Sequence, residues 1–248
     1  MYYYIIDLGN KQIAKIKDKM EMLMASYGIS GDFGKISPLS SAYELAKRAL
    51  TQNYSTIVAI GDNEIINQVA QAMVNSDATM GIIPINADSL IYNLIGATSM
   101  KNALEILRAR KIETIDVGKI SENKYFLTEI TLQSNKPVPT VIDFSHFRIG
   151  GNFQNINIAN GTNDIESFKD GKLIIKIDHE ERKKGLFWKI FKSSPSSFST
   201  FSQDYLKIET EKKVDVYLGK EIVAKTPCEV TLLPFALKLI VSRLYKKP

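Results

Sequence analysis

The sequence predicts an α/β domain with a Rossmann-like parallel sheet, followed by an all-β sandwich domain. Residues 1–118 alternate short apolar runs with amphipathic segments, the order that parallel strands and crossover helices require. Residues 119–248 instead hold many short β-type runs separated by turn residues, which favours a sandwich or barrel. We therefore expect two domains, 1–118 and 119–248, with a cleft between them.

The first domain begins with a predicted strand at Tyr2–Asp7. Gln12–Gly28 has apolar residues on one helical face and ends in glycine, which is typical of a helix C-terminus. A second helix is predicted at 42–52. Met100–Arg110 and Glu113–Gly118 then predict the last helix and the last strand of this domain.

The stretch 56–89 has the most informative local pattern. Thr56–Ile60 predicts a strand, the polar turn 61–63 follows, and Ile65–Val74 predicts a helix. Gly81–Pro84 predicts the next strand, which runs into the polar loop Ile85–Ser89. Strand, glycine turn and helix in this order place backbone N–H groups where phosphates can bind.

The second domain is predicted from nine short β-type runs. In chain order they are KYFLTEITL, TVIDFSHFRI, NINIAN, KLIIKID, YLKIET, VDVYL, EIVA, CEVTLL and ALKLIV. Gly219-Lys220 suits a type II′ hairpin turn. The Ser-rich segment that ends at Gln203 is predicted to be a flexible loop.

Composition sets broad limits on partners and compartment. The 248 residues include 32 Lys+Arg and 27 Asp+Glu, a net charge of +5 that suits anionic membranes, nucleic acid or phosphorylated ligands and is equally compatible with none of them. Cys228 is the sole cysteine, so no intramolecular disulfide can form. The N-terminus lacks a signal-peptide pattern, and no apolar run reaches about 18 residues. We expect a cytoplasmic protein.

The order of these features resembles the diacylglycerol kinase catalytic family, which includes sphingosine kinases and bacterial lipid kinases and is akin to NAD kinases. The family pattern has a Gly-Gly-Asp-Gly-Thr turn after a strand, a Pro-x-Gly-Thr-x-Asn-Asp loop and a late Asp-Gly-Glu turn. The likeness is strongest over VAIGDNEIINQV, GIIPINADS, ETIDVGKI and YLGKEIVAKTP. The resemblance implies a lipid kinase that uses ATP and Mg²⁺ to phosphorylate a lipid hydroxyl, with impaired or altered chemistry because several motif residues are replaced.

The resemblance also implies positions for the cofactor. The family's Gly-Gly-Asp-Gly-Thr falls on residues 61–65, and a one-residue slip puts Asp62 on the family aspartate, which is implied to organise Mg²⁺ and the triphosphate. Glu64 and Ile65 replace a glycine and the threonine, which brings a carboxylate near phosphates and removes a hydroxyl. The implied cofactor contacts are Asp7, Gly61, Asp62, Asn63, Asn86 and Ser89.

Two carboxylates are the candidate catalytic residues. Glu221 stands where the family glutamate is implied to act as general base on the lipid hydroxyl, and Asp62 is implied to act at the phosphates. A structural alternative exists for each of them. Glu221 can be the first solvated residue of an edge strand. Asp62 or Asn63 can cap a helix whose dipole Glu64 complements.

The same alternative applies to the second loop. Asn86, Asp88 and Ser89 can be loop and capping residues that begin a helix at Leu90–Ile95. Under this interpretation the polar residues of both loops need no ligand.

A basic aromatic segment interrupts the second domain at Glu181–Gln203. Lysines around an aromatic cluster suit the headgroup region of an anionic membrane, and the alternative is a short helix packed on the sandwich. The predicted membrane contacts are Lys183, Lys184, Phe187, Trp188 and Lys189.

Other sites are not supported by the pattern. His146, His179 and Cys228 have no zinc-ligand spacing, and the acidic run 178–181 is expected to be a solvated turn. We expect no nucleic-acid binding. Three functions follow from the sequence: a lipid kinase, a catalytically inactive lipid-kinase scaffold that binds nucleotide, lipid or another protein, and a peripheral membrane adaptor.

Overall fold

The computed structural model describes residues 1–121, 123–162, 164–178 and 198–243. Its first half alternates strands and helices: β1 (Tyr2–Ile6), α1 (Lys11–Tyr27), β2 (Gly31–Lys35), α2 (Ala42–Thr51), β3 (Thr56–Gly61), α3 (Asn63–Met73), β4 (Thr79–Pro84), α4 (Ser89–Ile95) and α5 (Met100–Ala109).

The second half is rich in strands: β5 (Lys111–Ile120), β6 (Lys124–Phe126), β7 (Glu129–Phe144), β8 (Arg148–Ala159), β9 (Leu173–Asp178), β10 (Phe198–Gln203), β11 (Tyr205–Thr210), β12 (Asp215–Leu218), β13 (Glu221–Lys225) and β14 (Cys228–Val241). A short 3₁₀ helix spans Ile165–Phe168. Among the described residues, no helix combines the length and the apolar content that crossing a membrane requires.

The α/β half contains a parallel sheet in the order β2-β1-β3-β4. All six residues of β3 and all six of β4 are buried, as expected for parallel strands with covered faces. Because parallel strands share their carboxyl ends, the loops that follow β3 and β4 lie side by side at one sheet edge. This edge is where the first two predicted site loops meet.

The β half is antiparallel, in the order β10-β9-β8-β7-β11-β14. Strand β14 joins the two halves: it pairs with β11 at its start, and near its end Leu239 pairs in parallel with Met80 of β4. Strand β5 runs antiparallel to β14 along nearly its whole length. Within the described part of the chain, the result is one continuous 14-stranded sheet. The predicted order of an α/β part followed by an antiparallel β part is confirmed.

Buried apolar side chains form two clusters, one in each half. The first cluster also takes in Leu127, Ile165, Phe168 and, from the end of β14, Ala236, Leu237 and residues 239–241. Strand β5 runs through residue 118 to Ile120. The core of the α/β half is therefore completed by chain from later in the sequence.

Several elements differ from the sequence prediction. Strand β2 was not expected, since GDFGK has two glycines and two charges, and it lies at the sheet edge with β1 as its partner. The predicted runs CEVTLL and ALKLIV form the single strand β14, with a register shift between Leu233 and Leu237. The loop predicted up to Gln203 is wrong for 198–203, because these residues pair with β9.

Candidate functional site

The turn after β3 begins helix α3. The backbone N–H of Ile65 donates to Asp62 Oδ1 at 3.2 Å, which makes Asp62 the N-cap, and Glu64 lies in the first turn of the helix. A carboxylate in this position stabilises unpaired N–H groups and complements the helix dipole. The capping interpretation of Asp62 is confirmed.

The loop after β4 begins helix α4 in the same way. The backbone N–H of Ile91 donates to Asp88 Oδ1 at 3.1 Å, and the helix starts at Ser89, one residue before the predicted start. Asn86 is exposed and has a φ of 58°, a left-handed conformation that asparagine tolerates. The predicted loop and capping roles are confirmed here too.

Asn63 and Asp88 join the two loops. Asn63 Nδ2 donates to Asp88 Oδ2, and the backbone N–H of Asp88 donates to Asn63 Oδ1 at 2.9 Å. Both polar ends of the Asn63 amide are therefore used within the protein. This Asn63–Asp88 pair holds the ends of β3 and β4 at a fixed separation.

A cleft of about 130 Å³ lies between the two halves of the chain. The α/β half contributes residues of α3 and the Asn63–Asp88 pair, and the β half contributes the start of β7 and the hairpin β12–β13. The interdomain cleft is lined by Asn63, Glu64, Asn67, Gln68, Gln71, Asp88, Thr128, Glu129, Leu218, Gly219 and Glu221.

Two of the predicted site residues border this cleft. Asn63 and Glu221, 158 positions apart in the chain, lie on opposite walls of it. The other predicted residues are not among its lining residues; they are Asp7, Gly61, Asp62, Asn86 and Ser89. Asp7 lies beyond the end of β1, where its carboxylate accepts the backbone N–H of Gly9 at 2.9 Å.

Glu221 follows the hairpin turn as the first residue of β13. Gly219 has a φ of 62°, and Lys220 is not among the positive-φ residues, as the predicted type II′ turn requires. Glu221 Oε1 accepts a hydrogen bond from Lys124 Nζ at 3.0 Å, and the side chains of Glu221 and Lys124 are 41% and 43% exposed. Glu221 is thus a solvated strand residue that also faces the cleft.

Asn67 ties the wall of the cleft to the β half. It is 3% exposed, its Nδ2 donates to the carbonyl of Asn63 at 2.8 Å, and its Oδ1 accepts the backbone N–H of Leu127 at 2.9 Å. The next residue after Leu127 in the chain, Thr128, enters the cleft wall. One buried amide therefore positions both walls.

Sequence reasoning did not single out two of the cleft residues, Thr128 and Glu129. Both lie in the short β-type run KYFLTEITL, where polar residues look like the solvated positions of a strand. Only the contact between α3 and β6–β7 reveals that they face the first domain.

The space next to Gly61 is filled by the protein itself. A Cβ atom built on Gly61 would lie 2.6 Å from Ile65 Cδ1, so the Ile65 side chain lies against the glycine backbone. A phosphate group that approached this backbone would have to displace the end of that side chain. The residues present at this turn do not fit the triphosphate that the family resemblance implies.

The charges at the cleft lead to the same result. Its lining includes four carboxylates and, among the described residues, no lysine or arginine; the carboxylates are Glu64, Asp88, Glu129 and Glu221. Like charges repel a polyanion, by about 1 kcal/mol at 4 Å in water and more where solvent is excluded. In the described part of the chain no three His, Cys, Asp or Glu side chains converge closely enough to hold a metal ion. The charge of this lining therefore does not favour a triphosphate.

The predicted membrane contacts lie outside the described residues. They are Lys183, Lys184, Phe187, Trp188 and Lys189. Residues 179–181 of the acidic run also lie outside them.

Comparisons with known proteins agree with this architecture. Residues 7–120 match the family model of the diacylglycerol kinase catalytic domain. No curated protein matches the chain. Three solved structures from Bacillus anthracis str. Sterne, described as diacylglycerol kinases and two of them provisionally so, share 14%, 15% and 14% sequence identity with it.

The structural match extends over both halves of the chain. The three structures superpose with TM-scores of 0.79, 0.79 and 0.80, and each alignment covers 97% or 98% of this chain and 97% of the other. At such low identity the likeness is one of fold. Residues 7–120 of this chain are therefore similar to the diacylglycerol kinase catalytic domain, and the whole chain shares the fold of the three solved structures.

Proposed function

We propose that this chain is a non-catalytic member of the diacylglycerol kinase family, in which the interdomain cleft serves as a binding module. One observation carries the proposal: Ile65 occupies the space beside Gly61 that a phosphate would need. Without a positioned phosphoryl donor, Glu221 has no transfer to assist as a base.

The Asn63–Asp88 pair supports the same function. In this arrangement the side chains that could otherwise contact phosphate or Mg²⁺ bond to each other, and Asp62 bonds to its own helix. These contacts stabilise loops instead of contacting a ligand. The fold is thus retained while the nucleotide end of the site is used for structure.

The decisive experiment is a gain-of-function test. Wild-type protein with Mg²⁺, labelled ATP and mixed micelles of diacylglycerol or sphingosine should transfer no label, and ATP should not raise its melting temperature. The triple variant Asn63→Asp, Glu64→Gly and Ile65→Thr restores three residue types of the family turn, and we expect it to gain an ATP-dependent rise in melting temperature. Ile65→Val, which keeps an apolar side chain over Gly61, is the matched control and should gain none.

A second candidate, phosphoryl transfer to a lipid hydroxyl, is favoured by a separate observation. Glu221 borders the same cleft as Asn63, as a general base for a substrate in that cleft would. Label transfer by the wild-type protein that disappears in Glu221→Gln would establish this activity, with ATP and Mg²⁺ as its cofactors, and would overturn the non-catalytic proposal.

Contact with an anionic membrane also stays a prediction. It is supported by the Lys- and aromatic-rich composition of 183–189. Co-sedimentation with vesicles containing phosphatidylserine should fall when Trp188→Ala is combined with Lys183→Glu and Lys184→Glu, and unchanged co-sedimentation would remove the basis of this prediction.

A further inference from the structure

A second concavity lies in the β half and shares no lining residue with the interdomain cleft. It encloses about 620 Å³, within the range of about 300–1,000 Å³ that is typical of small-molecule sites. Its walls are residues 133–139 of β7 on one side and residues 211–215 with Tyr217 on the other. We call it the β-half cavity. Its size and its two walls make it a candidate ligand site.

Three lysines line the β-half cavity, and they come from both walls: Lys136, Lys212 and Lys213. Lys136 lies in β7 where the pairing with β8 shifts register, between Gln133 and Val138, and the other two lie in the turn between β11 and β12. No ion pair joins any of the three to a carboxylate in the described part of the chain.

The carboxylates of the β-half cavity do not balance these lysines. Two carboxylates line it, Glu211 and Asp215. Asp215 is already paired with Lys225, whose Nζ lies 3.0 Å from Asp215 Oδ1. One carboxylate, Glu211, is therefore left against three ammonium groups. A concave surface with a surplus of one charge concentrates ligands of the opposite charge, so the β-half cavity favours an anion.

Hydroxyl groups hold the backbone of both lysine turns. Ser134 Oγ donates to the carbonyl of Lys136 at 2.6 Å, and Thr210 Oγ1 donates to the carbonyl of Lys212 at 2.7 Å. The hydroxyl of Thr226, which is 1% exposed, hydrogen bonds to the hydroxyl of Thr210. An anion that binds here therefore has to order lysine side chains but not the backbone, which lowers the entropic cost of binding.

The arrangement of the donors indicates which kind of anion fits. Several ammonium groups around one concavity suit an anion with more than one negative charge, and a phosphomonoester carries about −1.5 to −2 at pH 7. A carboxylate carries a single charge and would leave ammonium groups unmatched. Asn135 and Tyr217 also line the β-half cavity, and their N–H and O–H groups are uncharged donors that phosphate oxygens accept.

We propose that the β-half cavity binds a phosphomonoester through Lys136, Lys212 and Lys213. The ammonium group from β7 contacts the phosphate from one wall, and those from the turn between β11 and β12 contact it from the other. The site goes beyond the proposed function and does not depend on it. The same phosphate group is offered by a soluble phosphorylated compound or by a lipid whose headgroup is a bare phosphate.

Titration of isotope-labelled protein with glycerol 3-phosphate, followed by backbone amide chemical shifts, tests the proposal. At an ionic strength of about 0.1 M, charges more than about 10 Å apart are largely screened. The amides of the two walls of the β-half cavity should shift together along one saturating curve. Glycerol, which lacks the phosphate, is the matched ligand and should shift none of them.

Two double variants separate a site from general attraction of anions. Lys136→Met combined with Lys212→Met should weaken binding about tenfold, since each exposed ion pair contributes a few-fold. Lys15→Met combined with Lys101→Met removes the same charge at exposed positions of α1 and α5, and should change the affinity less than about twofold. Equal losses in the two double variants, or amide shifts spread evenly over the protein, would overturn the proposal.

A single variant gives an effect of opposite sign. Glu211→Gln removes the carboxylate that opposes the ligand and should tighten binding about threefold. Asp18→Asn makes the same change of charge on α1 and should alter the affinity much less. Because Glu211 is exposed, its replacement should leave the melting temperature unchanged. Weaker binding by Glu211→Gln would contradict the charge balance on which the proposal rests.

Vesicles distinguish the two sources of the phosphate. Phosphatidylcholine vesicles that contain phosphatidic acid present a phosphomonoester at a lipid surface. Co-sedimentation that falls in the Lys136 and Lys212 double variant but not in the Lys15 and Lys101 double variant identifies a lipid headgroup. Binding of glycerol 3-phosphate with equal co-sedimentation of both variants identifies a soluble ligand.

Failure of this proposal is distinguishable from failure of the proposed function. Absence of binding to both glycerol 3-phosphate and the phosphatidic acid vesicles would overturn the phosphate site. Label transfer from ATP, measured on the same preparation, bears on the interdomain cleft alone, because the two sites share no lining residue.

Discussion

Two sets of polar side chains connect the α/β half to the β half, and they differ in burial and in the groups they bond. The buried seam consists of Asn67, Asp116 and Asn160, none more than 3% exposed. Asp116 accepts the backbone N–H groups of Phe235 at 2.9 Å and Gly171 at 3.0 Å. Asn160 Nδ2 donates to the carbonyls of Asp116 and Leu127.

The open cleft uses side chains that bond mainly to other side chains. Asn63 pairs with Asp88, and Lys124 pairs with Glu221, all at positions that solvent reaches. Buried groups bonded to backbone are costly to leave unpaired, whereas exposed pairs exchange with water or ligand at small cost. The seam therefore fixes how the two halves are arranged, and the cleft is the part that a ligand can reorganise.

The largest expected effect is in the seam. Asp116→Ala removes the acceptor of two backbone N–H groups and should lower the free energy of unfolding by about 3 kcal/mol. Urea denaturation measures the change, and Asp18→Ala on the exposed surface of α1 should stay within about 0.5 kcal/mol of wild type. Equal stability of Asp116→Ala and wild type would show that the seam does not hold the halves together.

A second seam variant tests the joint next to the cleft. Asn67→Ala leaves the buried N–H of Leu127 without its acceptor and should cost about 2 kcal/mol in urea denaturation. Gln71→Ala lies on the same helix and borders the cleft, and it should cost less than about 0.5 kcal/mol. Similar losses in both variants would contradict the distinction between seam and cleft.

The core of the β half gives a pH-dependent test. Burial, with a smaller contribution from the Glu229 charge, raises the pKa of the Cys228 thiol from 9.0 to about 12. The thiol of the unfolded chain ionises first. The stability that the neutral, buried thiol contributes is therefore complete below pH 9, and it is lost as pH rises from 9 towards 12. Relative to Cys228→Ala, the wild-type protein should lose about 1 kcal/mol between pH 8 and pH 10. Parallel pH profiles of the two proteins would contradict the burial of the thiol.

The smallest expected effect is in the cleft. Asn63→Ala breaks the Asn63–Asp88 pair at an accessible position and should cost about 0.5 kcal/mol in urea denaturation. Ser89→Ala, in the same exposed loop, serves as the control and should be neutral. A loss of stability as large as that of Asn67→Ala would show that the Asn63–Asp88 pair holds the halves together as the buried seam does.

Local patterns predicted most of the fold because the forces that set these elements act over a few residues. The end of α1 at Gly28, the N-cap of α3 at Asp62 and the turn at Gly219 all follow from backbone geometry and nearby donors. Strand β10 was missed because FSTFSQ resembles a polar loop until β9 supplies its hydrogen-bond partners. The predicted domain boundary at residue 118 could not show that the end of β14 completes the core of the α/β half, because the residues in contact there are far apart in the chain.

Sequence alone determined the α/β-then-β order, the capped loops after β3 and β4, and the hairpin that presents Glu221. Tertiary structure decided that Thr128 and Glu129 meet α3 across a cleft, and that Ile65 lies over Gly61. The physical reason is separation along the chain. Periodicity and capping depend on residues that are close in sequence, whereas the shape and charge of a cleft arise where distant segments pack together.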